Sequence, residues 1–452
     1  MPRPTRTLLL LALCLLLAAC SASQRALSGS PAPFRWRQFE GTTLRVVLSQ
    51  NRWLQVAAPY FPEFEELTGI RLQIEDYPQD ELWNLLETAL DEPGRVDVFT
   101  TVPALDGIRL VRAGRVAPVN AFLQDPSLTA PEFLWEDFLP RLRAAVEIEG
   151  AILGPPIMAE HLALIYRKDV FKQYQVEVPR TLEELEATAR LLHKKPMGSS
   201  GAPGVAIVGR GKSPANTSLF AGILYASGGS WFDDRGRPGI NGPTGREALE
   251  YLSRLAGKYA PPNLAELGWE EASAIFMAGG AAMYIEGSSV FPLLEKSEKS
   301  KVAGKVGYAL FPAGRNGSGA TVAAVGLAVA KRSANPKAAW LFLQWAAGRE
   351  MVRRALANEI LVGRQSLWQD RWARTEIPPD LARSFQEAAR VGHPQWAPPM
   401  VAVTSAREAV GAAVTAALKG EDVRAAADAA ARRLEEILAA TERPPSGASQ
   451  TP

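Results

Sequence analysis

Short apolar runs alternate with amphipathic stretches near the start of this chain, and this alternation limits the possible folds more than any other feature. Residues 44–48, 70–74 and 96–99 are typical of strands, and the stretches between them carry apolar residues at helical spacing. Such alternation predicts a parallel α/β sheet. Because ligands in these sheets bind beyond the carboxyl ends of strands, residues 49–53 and 100–103 lie at a candidate binding edge.

The length and composition describe a two-lobed, ordinary globular protein. A chain of 452 residues is too long for one hydrophobic core, so two lobes are expected. Hydrophobic residues make up 47% and charged residues 22% of the chain. The net charge is +2 and no basic patch stands out, so the sequence gives little support to a nucleic-acid partner.

The first twenty residues are typical of an export signal. Arg3 and Arg6 precede an apolar run, residues 8–19, that is too short to cross a bilayer. The run ends in Leu-Ala-Ala-Cys, which resembles a bacterial lipobox and predicts lipidation at Cys20. A plain secretory signal with a chance cysteine is the alternative. Cys14 leaves with the signal, so the mature chain is expected to have no disulfide.

Two terminal segments lack the periodicity of helices or strands. Residues 21–40 are rich in Ser, Ala and Pro and are predicted to be a flexible tether. Residues 441–452 are predicted to be a disordered tail.

The stretch SAIFMAGGAAMYIEGSSVF combines a helix end, a buried strand and a polar turn. Gly279-Gly280 is expected to end the helix, and residues 281–285 form a short apolar strand. Glu286-Gly287 then forms a turn, and Ser288 or Ser289 is placed to cap the next helix. A ligand could bind at such a turn. An ordinary buried strand between two helices is the alternative.

This stretch resembles the second lobe-crossing segment of the family 1 extracellular solute-binding proteins, the receptors of carbohydrate-importing ABC transporters. The matching positions are Phe276, Gly279, Ala281, Ala282, Met283 and Gly287. Ser289 stands where the family has a tryptophan. Further landmarks follow in family order over residues 44–438, at residues 61–72, 97–98, 113–119, 150–171, 181–184, 333–340 and 360–367.

The resemblance implies an α/β fold of the two-lobed periplasmic-binding-protein-like type II class, with the ligand cleft between the lobes. The implied bounds are 41–158 with 287–328 for the first lobe and 159–286 with 329–440 for the second. It also implies a monomer that captures a small solute, closes by hinge motion and docks on ABC permease subunits. No cofactor, no metal and no catalytic residue are implied, and the chain is expected to be exported and anchored to the membrane by lipid.

Sugar sites need aromatic platforms and a few polar side chains, and the family pattern suggests where to look for them. The candidate ligand-binding residues are Asn51, Trp53, Thr101, Glu160, Ser218, Tyr225, Trp231, Glu286, Ser289, Arg364, Trp396 and Arg407. Ser218, Ser289 and Arg407 stand near positions where relatives have stacking aromatics. The site is therefore expected to be less aromatic than that of a long-oligosaccharide binder, and a smaller sugar, a polyol or a charged sugar derivative also fits. Arg52, Arg364 and Arg407 are candidates for pairing with a phosphate or carboxylate.

The residues offer little support for an enzyme. The three histidines are far apart in sequence and lack metal-ligand spacing. Residues 209–213, GRGKS, have Ala206 where a phosphate loop needs its first glycine, so a surface loop is predicted. Two alternatives stay open: an exported glycan-acting enzyme, which needs two carboxylates facing one cleft, and the same fold serving a non-sugar solute or a sensor.

Overall fold

The computed structural model describes residues 33–197, 203–296, 298–315, 317–371 and 374–442. The predicted signal with Cys20 and the chain from residue 443 onward lie outside the described residues. Within the described ranges, no helix is both long and apolar enough to span a bilayer.

One mixed sheet of nine strands organises the described residues. Its order is β2-β1-β3-β11-β7-β9-β8, with β10 beside β7 and β4 beside β11, while β5 and β6 form a separate pair. The strands are β1 (Thr43–Ser49), β2 (Arg71–Tyr77), β3 (Val98–Thr101), β4 (Val116–Ala117), β5 (Glu147–Ile148), β6 (Ala151–Ile152), β7 (Pro156–Arg167), β8 (Val205–Gly209), β9 (Ala281–Gly287), β10 (Val306–Leu310) and β11 (Val322–Ala330).

Helices cover the faces and ends of this sheet. They are α1 (Arg52–Ala57), α2 (Phe61–Thr68), α3 (Gln79–Ala89), α4 (Pro103–Arg112), α5 (Asn120–Gln124), α6 (Pro140–Ala145), α7 (Lys168–Tyr174), α8 (Leu182–Leu192), α9 (Thr217–Ala226), α10 (Pro243–Tyr259), α11 (Trp269–Met277), α12 (Phe291–Lys296), α13 (Pro336–Ala346), α14 (Arg349–Ala357), α15 (Pro379–Val391), α16 (Val403–Leu418) and α17 (Val423–Thr441).

The predicted parallel order is confirmed at the N-terminal end of the chain. β1 lies between β2 and β3 and is parallel to both. α2 ends at Gly69, whose φ of 70° is the left-handed conformation that glycine adopts at little cost. Further along, β3 with β11, β11 with β7, and β7 with β9 pair antiparallel, so the complete sheet is mixed.

The long strand β7 connects the two halves of the sheet. Residues 156–161 pair with β11, residues 162–166 pair with β9, and residues 163–167 pair with β10. We call β1, β2, β3 and β11 with their helices the first half, and β8, β9 and β10 with theirs the second half. The side chains near residue 160 therefore lie where the two halves meet.

The predicted lobe boundaries are wrong around helix α13 and strand β10. The prediction placed residues 329–440 in the second lobe, yet Phe342 of α13 packs edge-on against Phe64 of α2, with ring centroids 5.2 Å apart. Trp340 packs in the same way against Phe133. The aromatic face of α13 is therefore buried in the first half. β10, predicted in the first lobe, pairs with the second part of β7. The remaining bounds stay a prediction.

The two terminal segments are shorter than predicted. Residues 33–40 pack on the first half: Phe34 and Trp36 lie edge-to-face at 5.1 Å and contact the core. The side chain of Gln38 donates a hydrogen bond to the carbonyl of Ser127 at 3.1 Å. At the other end, Glu442 accepts a hydrogen bond from the Val401 amide at 2.7 Å, so the predicted tail cannot begin before residue 443.

Candidate functional site

A polar cavity of about 80 Å³ lies at the junction of the two halves. It is surrounded by β7, the end of β9, the loop after β8, the start of β11 and two late segments of the chain. Its lining residues are Glu160, His161, Leu162, Arg210, Ser218, Glu286, Gly287, Thr321, Ala323, Trp396 and Arg407. One indole, two carboxylates and two guanidiniums therefore meet in one small space.

The pairing of β7 with β9 brings the two carboxylates together. Glu286 lies opposite Ala163 and Gly287 lies opposite Leu162, so the end of β9 runs beside Glu160. A Cβ atom at Gly287 would stand 2.6 Å from Oε2 of Glu160. Glycine is therefore required here for the carboxylate of Glu160 to keep its place.

The two serines after β9 bind β7 instead of capping a helix. The Ser289 hydroxyl donates a short hydrogen bond to the carboxylate of Glu160, and the His161 amide donates to the Ser288 hydroxyl at 3.1 Å. No side chain caps the short turn that follows Gly287. The predicted cap is therefore wrong, because the polar turn is used for contacts across the sheet.

The carboxylate of Glu286 accepts its hydrogen bonds from the protein and holds the guanidinium of Arg210 in place. Nε of Arg210 donates to Oε2 of Glu286 at 3.1 Å, and a second guanidinium nitrogen contacts Oε1. The Gly287 amide donates to Oε1 at 2.8 Å, and the Tyr284 hydroxyl donates to Oε2 at 3.3 Å. Burial works against the charge of Arg210, but the adjacent Glu286 outweighs it and raises the pKa of Arg210.

Glu160 has more free bonding capacity than Glu286. Burial raises the pKa of the Glu160 carboxyl, although the Ser289 hydrogen bond and the charge of Arg210 oppose that rise. A carboxylate has about four acceptor positions, and in the described part of the chain Ser289 is the side chain that hydrogen-bonds to this one. The Ser289 backbone also hydrogen-bonds to it. Because Glu160 lines the cavity, hydroxyl groups of a solute could donate to the acceptor positions that are left.

The loop that carries Trp396 is held by aromatic residues of the second half. The Tyr225 hydroxyl and Nε1 of Trp231 both donate to the Gln395 carbonyl, at 2.6 and 2.9 Å. The Tyr225 ring also stacks on His393 with a centroid distance of 3.9 Å. These contacts place the Trp396 indole at the cavity, where it offers an apolar surface.

The cavity opens, at Arg407, into a larger groove between the two halves. This groove has a volume of about 430 Å³. α3 and α4 of the first half line one side, with Trp83, Asn84 and Arg109, and residues 401–405 line the other. The candidate site is therefore a small inner cavity at the base of an inter-lobe groove.

The structure brings six of the twelve predicted binding residues to the cavity. Glu160, Ser218, Glu286, Trp396 and Arg407 line it, and Ser289 hydrogen-bonds to Glu160. Tyr225 and Trp231 do not line the cavity; they hold the loop that carries Trp396. That these residues bind a ligand stays a prediction.

Four predicted residues have structural contacts outside the cavity; the predictions for the buried Trp53, Thr101 and Arg364 are corrected, and that for Asn51 stays a prediction. Trp53 is 1% exposed and belongs to the core. Asn51 caps α1 by accepting the Leu54 amide at 2.9 Å. The Thr101 hydroxyl donates to buried Asp106 at 2.5 Å. Arg364 is 1% exposed, pairs with Asp137 and does not line the cavity.

The sequence analysis missed Arg210 and Thr321. Residues 209–213 were predicted to be a surface loop, but Gly209 ends β8 and Arg210 then enters the cavity. β8 is parallel to β9, so this loop leaves the carboxyl end of a parallel strand, and that signal could have identified it. Thr321 immediately precedes β11, whose first residues face β7.

Because the side chain of His161 is buried, we expect the protein to lose stability as the pH is lowered. The ring is buried, its Nδ1 has no partner within the described residues, and burial lowers its pKa to about 3. As the pH falls, the His161 side chain takes up a proton near pH 6.5 in the unfolded chain, but not in the folded chain. The free energy of unfolding is therefore undiminished by this group above pH 6.5 and decreases as the pH drops below it. Between pH 6.5 and 5 we expect a loss of about 2 kcal/mol. Urea denaturation of wild type and His161→Gln at pH 7 and 5 tests this, and equal losses in both proteins would refute it.

The comparisons with known proteins agree with the fold. The model of the bacterial extracellular solute-binding protein family matches residues 50–352. The chain belongs to this family. Its members are exported, and the family is one of binding proteins.

Related solute-binding proteins have been named for small polyols. The mannitol-binding protein of Pseudomonas aeruginosa is 27% identical over 50% of this chain and 52% of its own length, so the chain spans about half of that relative. The erythritol/L-threitol-binding protein of Mycolicibacterium smegmatis is 24% identical over 79% of both chains. A solute-binding protein from Agrobacterium radiobacter K84 in complex with ribitol has a TM-score of 0.71 at 23% identity, over 90% of this chain and 100% of that one. That likeness shows the type II binding-protein fold.

Proposed function

We propose that this solute-binding protein captures a short polyol or a small sugar in the junction cavity and delivers it to an ABC permease. The observation that supports this most directly is the cavity itself, which combines the carboxylate of Glu160, the Ser218 and Thr321 hydroxyls and the Trp396 indole. Carbon-bound hydroxyls need hydrogen-bond partners of this kind, and the carbon chain needs an apolar surface.

The size of the cavity favours a short solute. A water molecule needs roughly 10–15 Å³ of cavity volume measured in this way, so 80 Å³ accommodates about six water-sized groups. A short polyol comes nearest to this size, and a long oligosaccharide far exceeds it. The proteins named for mannitol and for erythritol or L-threitol support the same solute class.

Binding is proposed to close the two halves around the solute. The groove that joins the cavity at Arg407 is lined from both halves, so hinge closure would bury the solute between them. The closed monomer would then dock on the permease. Lipidation of Cys20 would keep it at the outer face of the membrane, and fractionation of cells that carry Cys20→Ala tests that anchor.

A thermal-shift panel tests the solute class. A ligand at one hundred times its Kd adds about 2.7 kcal/mol to the free energy of unfolding, which is readily measured. We expect a rise with polyols or monosaccharides and no comparable rise with maltotriose or an amine solute. The same samples are checked for reaction products. A rise with the amine solute alone would contradict the proposal, and turnover would favour the glycan-acting enzyme, whose two carboxylates would be Glu160 and Glu286.

A further inference from the structure

Arg407 lines the cavity without an acidic partner among the residues that the structure describes. It lines both the cavity and the outer groove. Its Nη2 reaches the Pro214 carbonyl only at 3.5 Å, and its Nε is buried without a hydrogen-bond partner in the described part of the chain. The guanidinium lies 5.4 Å from the centroid of the Trp396 ring. This contact positions the charge but does not neutralise it.

Three other arginines, two of them buried and one partly buried like Arg407, are paired. Arg167 pairs with Asp169 at 2.6 Å, Arg364 pairs with Asp137 at 3.2 Å, and Arg210 pairs with Glu286. Buried charges are costly unless they are paired, so these three follow the general rule. Arg407 does not follow this rule, and it lines the cavity, where an anionic group of a solute could become its partner.

The charges around Arg407 do not supply that partner. Glu286 is occupied by Arg210, and Arg210 is close enough to Arg407 that burial and repulsion together lower the Arg407 pKa. Glu160 is bound by Ser289 on the opposite wall. In the groove, Glu87 pairs with Arg109 and Arg115, and the remaining acid, Asp80, is exposed to solvent.

We propose that the solute carries an anionic oxygen group, a carboxylate or a phosphate, at one end of a polyol chain, and that Arg407 binds this group. This inference rests on the proposed function of the cavity. A guanidinium donates two parallel hydrogen bonds to a carboxylate or phosphate, and such charge-assisted bonds are about twice as strong as neutral ones. The hydroxyls of the same solute would then reach Glu160 and Ser218 deeper in the cavity. Lobe closure over a neutral solute would instead leave Arg407 buried and unpaired.

Titration calorimetry of the purified chain with matched solutes tests this. The probes are ribitol, ribonate and ribitol 5-phosphate, and D-mannitol, mannonate and mannitol 1-phosphate. We expect one anion to bind at least about 30-fold more tightly than its neutral parent, and its affinity to fall as salt is raised. The carboxylate and phosphate arms show which group is bound. Arg407→Met should remove this preference, so that the anion and its neutral parent bind this variant with affinities within about 3-fold of each other, whereas Arg407→Lys should retain part of it.

The control is Arg237→Met, which removes an exposed arginine that pairs with Asp233 and does not line the cavity. It should change neither affinity. The inference is overturned if neutral parents bind wild type as tightly as both anions, or if Arg407→Met weakens anion and parent equally; the proposed function then still stands. If no solute in either series binds, the proposed function fails and this inference fails with it. The comparison within wild type does not depend on whether a variant folds.

Discussion

Replacing Arg364 by methionine should lower the free energy of unfolding by about 3–5 kcal/mol, because it leaves buried acceptors without a donor. The guanidinium donates to the carbonyls of Phe133 and Ala347 at 2.7 and 2.8 Å, and it pairs with Asp137 at 3.2 Å. Its charge centre also lies 4.3 Å from the centroid of the Phe138 ring. Burial lowers the pKa of Arg364, and the pairing with Asp137 opposes that shift, so the charge is held by these contacts.

Urea denaturation of Arg364→Met and of Arg390→Met measures this effect. Arg390 is an exposed arginine that pairs with Glu387 on one face of α15, at 2.8 Å. Exposed pairs of this kind contribute about 0.5 kcal/mol or less. A loss in Arg364→Met that stays within about 1 kcal/mol of this control would contradict a structural role for Arg364 and reopen a role in binding.

Replacing Glu160 by alanine should weaken binding of the best polyol by about 100-fold or more. A hydrogen bond to a charged group contributes about 1.5–3 kcal/mol, and the free acceptor positions of Glu160 can take two hydroxyls. Gly287→Ala should weaken binding less, because a Cβ 2.6 Å from Oε2 displaces the carboxylate without removing it.

Calorimetry with one solute compares these variants with Glu183→Ala. Glu183 is an exposed glutamate in the first turn of α8, on the surface of the second half. We expect this control to bind the solute within about 2-fold of wild type. Equal affinities in Glu160→Ala and the control would place the solute outside the cavity.

The local signals in the sequence predicted much of the fold. The apolar runs that became β1 and β3 and the glycine that ends α2 are determined by neighbouring residues, so a short window contains the information. Thr181 caps α8 for the same reason, since its hydroxyl accepts a hydrogen bond from the Glu184 amide at 3.1 Å. The position of α13 is different, because its aromatic face could pack against either half and only the tertiary structure decides.

The site residues were harder to predict because charge alone does not distinguish a ligand contact from a buried ion pair. Arg364 and Arg407 were equivalent candidates in the sequence. Arg364 is paired by Asp137, which lies 227 residues earlier, and Arg407 has no such partner among the described residues. Arg210 was not predicted because the glycines and lysine of its loop were compared only with a phosphate loop. Its position depends on β9, which lies beside β8 and carries Glu286, the partner of Arg210.

The most direct test of the central claim is a crystal structure of the chain with the polyol or sugar that gives the largest thermal shift. The account predicts the solute in the junction cavity, with hydroxyls about 2.7–3.0 Å from the carboxylate of Glu160 and its carbon chain against Trp396. A solute bound instead in the apolar surface groove lined by Trp36, Phe133 and Trp345, with the junction cavity unchanged, would contradict it.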